Sequence, residues 1–512
     1  CVSIAGLIDI TKCYEQIGHQ VLHAACVEKR FPRRLAAMAM LLCRGPRRVI
    51  MDKCATEAFV VPRTVVAGCG FATALLRVLA MVVGDLFVKK HPAVRLKVLV
   101  DDMSLQAVAT KRIALRVFIE AIMWFTEFLS TTLKLPISID KGAVLASKPE
   151  IAAEAAEAMA ARGLPFLAKR AVKQLGIDYS AGGARSNAVR VARAVKAETK
   201  AKRFRILGQA GAPTAQLART GVVSATTFGV GTQGISDKAL QVLRSQAARC
   251  LADTNSGRNT TLQLLTANSS HLDPAFACTA EPILRWANAV WGQTIPSKLM
   301  NKAVLWSQKE WGLEGPAWAN VKGPTGAIMA TCKRIGWKLK AWNILVTARH
   351  EELDMTLRSP GQVRIFVTKA VKNWQWVKVA SNPDFSDLAQ GACIEPVLRL
   401  LAPKNKTCSP IQKACIRATI TGAEWPPERL HKAGVISDST CSICGAQGSG
   451  KHRSFLCPAA REVRNGVDFI TTQAAERGLG STSFWGRLLA PALEQLFEPP
   501  SSTGPAAALV EW

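Results

Sequence analysis

Acidic residues follow two apolar runs of the chain. Asp9 follows residues 6–8, and Asp101 and Asp102 follow residues 96–100. A carboxylate pair at the end of a buried strand is costly unless a cation or hydrogen bonds offset its charge. Carboxylate oxygens suit Mg²⁺, which commonly shares them with substrate phosphates, and two such ions can promote phosphoryl transfer. The alternative is that the acids cap a helix or close a turn.

A second group has the spacing of a metal site. Cys441, Cys444, His452 and Cys457 form the pattern C-x2-C-x7-H-x4-C, with glycines at 445, 448 and 450 to supply tight turns. Three thiolates and an imidazole make a closed tetrahedral set that suits structural Zn²⁺. The pattern therefore predicts a small module whose folding depends on the metal.

The segments that would position the acids alternate between strands and helices. Residues 7–10 and 96–100 are predicted as buried strands, residues 113–133 as a long helix and residues 152–162 as a helix rich in Ala and Glu. This alternation predicts an α+β fold for the first 180 residues.

One stretch could be mistaken for a membrane span. Residues 65–87 are rich in Ala, Val and Leu, but Arg77 lies in the middle, where a charge is costly in hydrocarbon. We therefore expect a buried helix and no membrane partner. The fifteen cysteines show no disulfide-scaffold rhythm, which favours a reducing compartment with thiols free or bound to metal.

The charge favours a polyanionic partner. Lys and Arg number 66 against 37 Asp and Glu, a net charge of +29. The excess of basic residues is concentrated in residues 185–205, which contain a single acid, Glu198. At helical spacing one face would be strongly positive, so we predict phosphate contacts rather than a merely solvated surface. The predicted nucleic-acid-binding residues are Arg190, Arg193, Lys196, Lys200 and Arg203.

The chain beyond residue 210 has a different composition. Twelve of its thirteen tryptophans lie beyond residue 285, in sequence that is mostly typical of helices. Tryptophans between basic residues can stack on bases, but we expect most of these to be core residues. Residues 266–400 contain no acid constellation typical of a nuclease.

Four motifs, in order, carry a resemblance to a known family. Residues 6–19 resemble the first palm motif of reverse transcriptases, and residues 99–102 resemble the Asp-Asp hairpin of that family. Residues 135–147 are similar to the downstream Lys-containing motif, and residues 172–180 to the Leu-Gly turn of the non-LTR class. The cysteine–histidine pattern resembles the C-terminal zinc motif of non-LTR retroelement proteins, and the basic residues Lys451, Arg453 and Arg461 border it.

The resemblance implies a role for each matching residue. Asp9, Asp101 and Asp102 would bind two Mg²⁺ ions, and Lys141 would lie near the triphosphate as a proton donor or charge stabiliser. Tyr14 would pack under the incoming sugar and select deoxynucleotides. The implied activity is RNA-directed DNA polymerisation on an RNA template and a DNA primer, in an intracellular, nuclear protein with a cytoplasmic ribonucleoprotein stage.

Two positions depart from the family pattern. Leu99 stands where an aromatic residue is usual, and the best match to the second palm motif, at residues 67–71, contains the predicted substrate contact Gly68 but no Gln. The fingers would precede Cys1, so the chain is not expected to polymerise by itself. The alternatives are a non-catalytic nucleic-acid-binding remnant of a retroelement and a zinc-stabilised structural adaptor.

The resemblance also predicts how the chain divides. We expect an α+β fold with a reverse-transcriptase-like palm built on an antiparallel sheet, then a mainly helical region and a small zinc module. The predicted divisions are a palm at 1–182 without complete fingers, a basic helical thumb at 183–265, a Trp-rich helical connector at 266–400, a C-terminal region at 401–500 with the zinc knuckle at 441–457, and a tail at 501–512.

Overall fold

The chain forms two compact units. The computed structural model describes residues 1–461 and Leu489, leaving out residues 53, 67, 183–184, 211, 252–256, 268–270, 403 and 451. The first unit comprises Cys1–Val189 and the second Arg190–Trp512. The predicted tail at 501–512 lies outside the described residues. Mixed α and β structure in the first unit and mainly helical structure in the second confirm the α+β expectation.

The first unit contains short strands and longer helices. Its strands are β1 (Val2–Ile8), β2 (Ile50–Met51), β3 (Cys54–Ala55), β4 (Val94–Leu99), β5 (Asp102–Ala109), β6 (Ala143–Ala146), β7 (Leu167–Ala168), β8 (Ala171–Gln174) and β9 (Ile177–Ser180). Its helices are α1 (Cys13–Gln16), α2 (His19–Glu28), α3 (Arg33–Arg44), α4 (Ala72–Lys90), α5 (Lys111–Glu127) and α6 (Pro149–Ala160).

A mixed sheet forms the centre of the first unit. Among the described residues its strand order is β4-β5-β1-β6-β7, antiparallel except for the parallel pair β6 and β7. The interior strand β1 is buried along most of its length, as expected for a run in which Ser3 is the single polar residue. β4 differs from the prediction of a buried strand, because it lies at the edge of the sheet and Leu99 is 54% exposed.

Helices pack on this sheet at close range. A Cβ atom at Gly6 of β1 would lie 2.5 Å from Ile122 Cδ1 and 2.9 Å from Phe118 Cζ, both on α5. Only glycine therefore lets α5 approach the strand this closely. The phenylalanines Phe87, Phe118 and Phe125 fill the core that results.

The long helices of the first unit agree with the sequence predictions. The helix predicted at 113–133 is α5 followed by a π-helical turn at Phe128–Thr132, and the helix predicted at 152–162 is α6. The apolar stretch at 65–87 supplies α4, which is buried against the core as expected. Within the part of the chain that the structure describes, no helix has the length and apolar character needed to cross a bilayer.

The second unit is mainly helical. Helix α7 (Ala188–Gln209) begins at the end of the first unit, and the helices that follow are α8 (Thr214–Ala218), α9 (Ser224–Thr227), α10 (Val230–Gln233), α11 (Asp237–Arg249), α12 (Thr260–Leu265), α13 (Pro274–Trp291), α14 (Ser297–Trp311), α15 (Pro324–Arg334), α16 (Pro360–Ala380), α17 (Glu395–Leu401), α18 (Pro410–Thr421) and α19 (Pro427–Lys432). A small antiparallel sheet contains β10 (Lys338–Leu339), β11 (Ile344–Val346) and β12 (Glu352–Asp354).

The tryptophans of the second unit divide between core and surface. Trp286 and Trp337 are buried in the main core, as predicted for most of these residues. Trp291 and Trp306 are 50% and 59% exposed. The expectation of a core role therefore does not cover every tryptophan in this region.

A buried ion pair joins four helices of the second unit. The Arg244 guanidinium on α11 donates to both carboxylate oxygens of Asp273, at 2.9–3.1 Å, and to Thr261 Oγ1 at 2.7 Å. Asp273 also accepts from Gln375 Nε2 on α16 at 2.6 Å and from Ala275 N at the start of α13 at 2.8 Å. The Asp273 carboxylate therefore neutralises Arg244 of α11 and caps the start of α13.

Asp273→Ala should destabilise the second unit strongly. The substitution leaves Arg244, 3% exposed, as an uncompensated buried charge, and we expect the free energy of unfolding to fall by about 3–5 kcal/mol. Denaturant titration measures the change. The matched control is Glu154→Ala, which breaks an exposed pair with Lys111 and should have little effect. Equal losses from the two substitutions would contradict this account.

Candidate functional site

The pairing of β1 with β5 brings the predicted acids to one end of the sheet. The two strands are antiparallel, with Ile8 opposite Met103. Asp9 directly follows Ile8 and Asp102 directly precedes Met103, so both acids lie at this end of the strand pair, with Asp101 in the turn between β4 and β5. Residues far apart in sequence thus meet because the apolar faces of both strands fix their register.

The turn that carries Asp101 has an unusual backbone. Leu99 pairs with Asp102, which leaves Val100 and Asp101 as a two-residue connection. Val100 has a φ of 59°, in the left-handed region that β-branched residues rarely adopt. The tip of the hairpin is therefore held in a strained conformation, a feature found disproportionately often at functional sites.

Lys141 reaches the acids from a neighbouring loop. Ser138 N donates to the backbone oxygen of Asp9 at 2.9 Å, and Gly142 N donates to Ser138 O at 3.1 Å. These bonds fix a turn beside the end of β1. From that turn Lys141 Nζ donates to Asp9 Oδ2 at 2.9 Å, while the Asp9 side chain is only 25% exposed.

Burial and neighbouring charges shift the pKa of several groups in the cluster. Burial raises the pKa of Asp102, and the nearby carboxylates of Asp101 and Asp9 raise it further. Burial, with a contribution from Asp101, raises the pKa of the Cys13 thiol to about 12. The hydrogen bond to Asp9 raises the pKa of Lys141. Burial is the largest cause for Asp102 and Cys13, and the neighbouring carboxylates act in the same direction on all three groups.

A cleft of about 600 Å³ opens at this cluster. Its charged lining residues are three acids and three lysines, Asp9, Asp102, Asp140, Lys141, Lys169 and Lys173. Sequence analysis missed Asp140, Lys169 and Lys173. Asp140 directly precedes Lys141, and Lys169 and Lys173 precede the Leu-Gly turn. Their closeness in sequence to the recognised motifs could have identified all three as site residues. The cleft can accommodate both cations and phosphate groups.

The Leu-Gly turn forms part of the cleft wall. β8 and β9 make a hairpin whose turn residues, Leu175 and Gly176, have φ values of 49° and 75°. Two consecutive positive φ values are typical of a tight type I′ turn. Gln174, Leu175 and Gly176 all line the cleft, so the hairpin faces the carboxylates.

The predicted substrate contacts Tyr14 and Gly68 are not among the described residues that line this cleft. Tyr14 lies on α1, half-buried against the core, and its backbone oxygen accepts from Val65 N at 2.7 Å. Gly68 has a φ of 86°, and a Cβ atom there would meet nothing within 4 Å. The positive φ accounts for a glycine in this loop without implying a ligand.

The predicted basic residues of α7 differ in their contacts. Arg190 and Arg193 turn toward neighbouring helices, where they donate to Gly234 O at 3.0 Å and Phe228 O at 3.2 Å. Lys200 Nζ lies 3.4 Å from a backbone oxygen, and Lys196 and Arg203 are exposed. Arg190 and Arg193 therefore contribute to packing within the second unit as well as to its charge.

The cysteine–histidine residues converge into a group that can hold a metal such as zinc. The ligand atoms of Cys441, Cys444, His452 and Cys457 all lie within 4.8 Å of one another. Cys444 Sγ is 3.1 Å from His452 Nε2 and 3.9 Å from Cys457 Sγ. Tetrahedral zinc with thiolate bonds near 2.3 Å needs sulfur separations of about 3.8 Å, so the residues fit the ion. Among the described residues, Asp9, Asp101 and Asp102 do not form a second group in which all the possible ligand atoms lie this close together.

The local backbone explains how these ligands are positioned. Gly445 has a φ of 72° and donates to Cys441 O at 2.8 Å, which closes the first ligand turn. A Cβ atom at Gly448 would lie 2.8 Å from Pro427, so this glycine serves close packing on α19 rather than a left-handed turn. Hydrogen bonds from the backbone amides of Ile443 and Cys444 lower the pKa of Cys441 to about 6, which favours the thiolate. Lys451 lies outside the described residues.

Comparison of the sequence with known proteins found no match. No model of a protein family matches the chain, and no curated protein matches its sequence.

Cys444→Ala should remove the metal. Loss of one thiolate opens the tetrahedral set, so we expect bound zinc to fall from about one ion per chain to nearly none. Elemental analysis of the purified chain measures this, and amide exchange over residues 438–457 should become faster. Cys393→Ala, at an exposed cysteine outside the cluster, is the control and should retain the metal. Unchanged zinc in Cys444→Ala would exclude this ligand set.

Proposed function

We propose that the chain is part of a reverse transcriptase of a non-LTR retroelement, an RNA-directed DNA polymerase. The observation that carries the proposal is the meeting of Asp9, Asp101 and Asp102 at the ends of two paired strands, beside Lys141 and a cleft. The four sequence motifs contribute the acids, the lysine and the hairpin of this one region. The proposed partners are an RNA template, a DNA primer and deoxynucleoside triphosphates.

The carboxylates fit divalent cations in their chemistry. Hard oxygen ligands suit Mg²⁺, and a cation would offset both the burial that raises the pKa of Asp102 and the smaller repulsion from Asp101 and Asp9. Only one ammonium group, from Lys141, contacts Asp9 within the described residues. When bound there, two Mg²⁺ ions would lower the pKa of a primer hydroxyl and neutralise charge on the triphosphate.

Other residues of the chain would bind and orient the substrates. The primer 3′-hydroxyl attacks the α-phosphate and pyrophosphate leaves. Lys141 is placed to stabilise charge on the triphosphate or to donate a proton. The hairpin with Leu175 and Gly176 would contact the primer end, and the exposed Lys196 and Arg203 of α7 would contact nucleic-acid phosphates.

A nucleic-acid-binding protein without catalysis is the second candidate. The observation that favours it is the separation of the carboxylates, which converge less tightly than the cysteine–histidine group. The Lys141 contact also occupies an oxygen of Asp9 that a metal would use. The basic charge and the zinc module would remain useful to such a protein.

Asp101→Asn/Asp102→Asn should abolish primer extension. Neutral amides cannot hold the cations, and we expect a rate loss of about a thousandfold or more. Extension of a DNA primer on an RNA template, by the chain joined to a fingers segment, measures this. Glu154→Gln, an exposed acid on α6, is the matched control and should be fully active. Equal extension by the double variant and the wild type would remove the polymerase proposal.

Lys141→Met should separate metal binding from catalysis. Removing the ammonium 2.9 Å from Asp9 should tighten Mn²⁺ binding several-fold, while primer extension falls. Water-proton relaxation by Mn²⁺ measures binding on the chain itself, and Lys111→Met serves as the control. Unchanged Mn²⁺ affinity would show that the acids do not bind the ion, and undiminished extension would exclude a role for Lys141 in the reaction.

A further inference from the structure

Helix α14 presents an exposed face that the polymerase proposal does not use. The helix packs into the second unit through a narrow stripe formed by Met300, Val304 and Ser307, each at most 3% exposed. Most of its other residues are exposed. The exposed face carries Lys298, Leu299, Lys302, Leu305, Trp306 and Lys309.

The three lysines form a row along the helix. At 3.6 residues per turn, Lys298, Lys302 and Lys309 project within about 40° of one another. Trp306 follows Lys302 by four residues and precedes Lys309 by three, so it adjoins both on the helix surface. A row of cations about 16 Å long therefore has an indole at its side.

Trp306 is held in place but open to solvent. Its ring meets the edge of Trp311 with centroids 5.7 Å apart and an interplanar angle of 79°. Trp311 in turn packs beside Gly326 of α15, within the unit. Because more than half of Trp306 stays exposed despite this contact, an aromatic platform is available to a ligand.

The charge of this face is uncompensated. None of the three lysines forms an ion pair with a described residue, although nearby Lys338 pairs with Glu314 and Lys340 with Glu352. On α14 itself, Glu310 lies at the margin beyond Trp306. A ligand that complements the face must therefore supply several negative charges and at least one flat ring.

We propose that this face of α14 binds single-stranded nucleic acid. Phosphates would lie along the lysine row, and an unpaired base would stack on Trp306, the combination by which single strands are held without sequence preference. A duplex keeps its bases stacked inside and offers none to the indole. The site is independent of the carboxylates, so it would persist in a chain that does not polymerise.

An anionic membrane surface fits this face less well. Helices that lie in a membrane interface separate an apolar face from a basic one. In α14 the stripe of Met300, Val304 and Ser307 is buried in the protein, and the exposed side mixes the lysines with Leu299, Leu305 and Trp306 instead of separating apolar from basic residues. Binding to vesicles is therefore an outcome that the test can exclude.

The experiment measures binding of labelled oligo(U) and oligo(dT) to the full chain by fluorescence anisotropy. Excess unlabelled blunt hairpin duplex occupies duplex-binding surfaces. We expect Trp306→Leu to weaken binding about tenfold and Trp306→Phe to retain most of it, because stacking needs a ring. Replacing the three lysines by alanine should lower the salt slope by about two.

Matched variants decide where the strand binds. Alanine at Lys369, Lys372 and Lys378 removes the same charge from α16, whose exposed residues include no tryptophan, and should have a smaller effect. Photo-crosslinking with 4-thiouridine should label the tryptic peptide of residues 303–309. The binding assay contains no deoxynucleoside triphosphates and no Mg²⁺, so its outcome does not depend on polymerase activity, which separates this site from the polymerase proposal.

Three results would overturn the proposal. Equal affinity of Trp306→Leu and wild type would exclude stacking on this residue. An equal loss from the α14 and α16 lysine variants would reduce the binding to diffuse charge. Tryptophan-dependent binding to vesicles of anionic phospholipid, with none to oligonucleotides, would assign the face to a membrane.

Discussion

The register between β1 and β5 is the constraint on which the carboxylate cluster of the first unit depends. It places Asp9, which follows Ile8, and Asp102, which precedes Met103, at the same end of the strand pair. A shift of β5 by one residue would turn its buried side chains, Met103, Leu105 and Ala107, to the other face, so the packing of the core also fixes the position of the acids. Gly6 contributes by letting α5 press on the strand, and Lys141 offsets part of the charge.

Charged side chains are arranged differently in the second unit. There the buried Arg244–Asp273 pair is fully hydrogen-bonded and joins α11, α12, α13 and α16, so opposite charges meet in the interior rather than like charges in a cleft. The cysteine–histidine module near the end of the described chain has few apolar residues and would derive its order from a metal. A buried pair of opposite charges suits a scaffold, whereas an incompletely compensated cluster suits the binding of ions and phosphates.

Long, strongly patterned elements could be predicted from the sequence. α4, α5 and α6 follow from apolar periodicity, and the ligand group at 441–457 follows from spacing alone, because local sequence determines both. Apart from the meeting of the three acids, which the family resemblance implied, contacts between distant segments could not be predicted. The bond from Lys141 to Asp9, the edge position of β4 and the inward turn of Arg190 depend on how elements pack, which no local pattern encodes.

The edge position of β4 has a consequence for solubility. An edge strand offers unpaired backbone groups to any other extended chain, and strands of this kind initiate aggregation. On the exposed face of β4, Arg95 and Lys97 precede the exposed Leu99 at alternate positions. A second copy pairing in register would bring these like charges together, so the two cations discourage fibre growth from the strand that leads to Asp101 and Asp102.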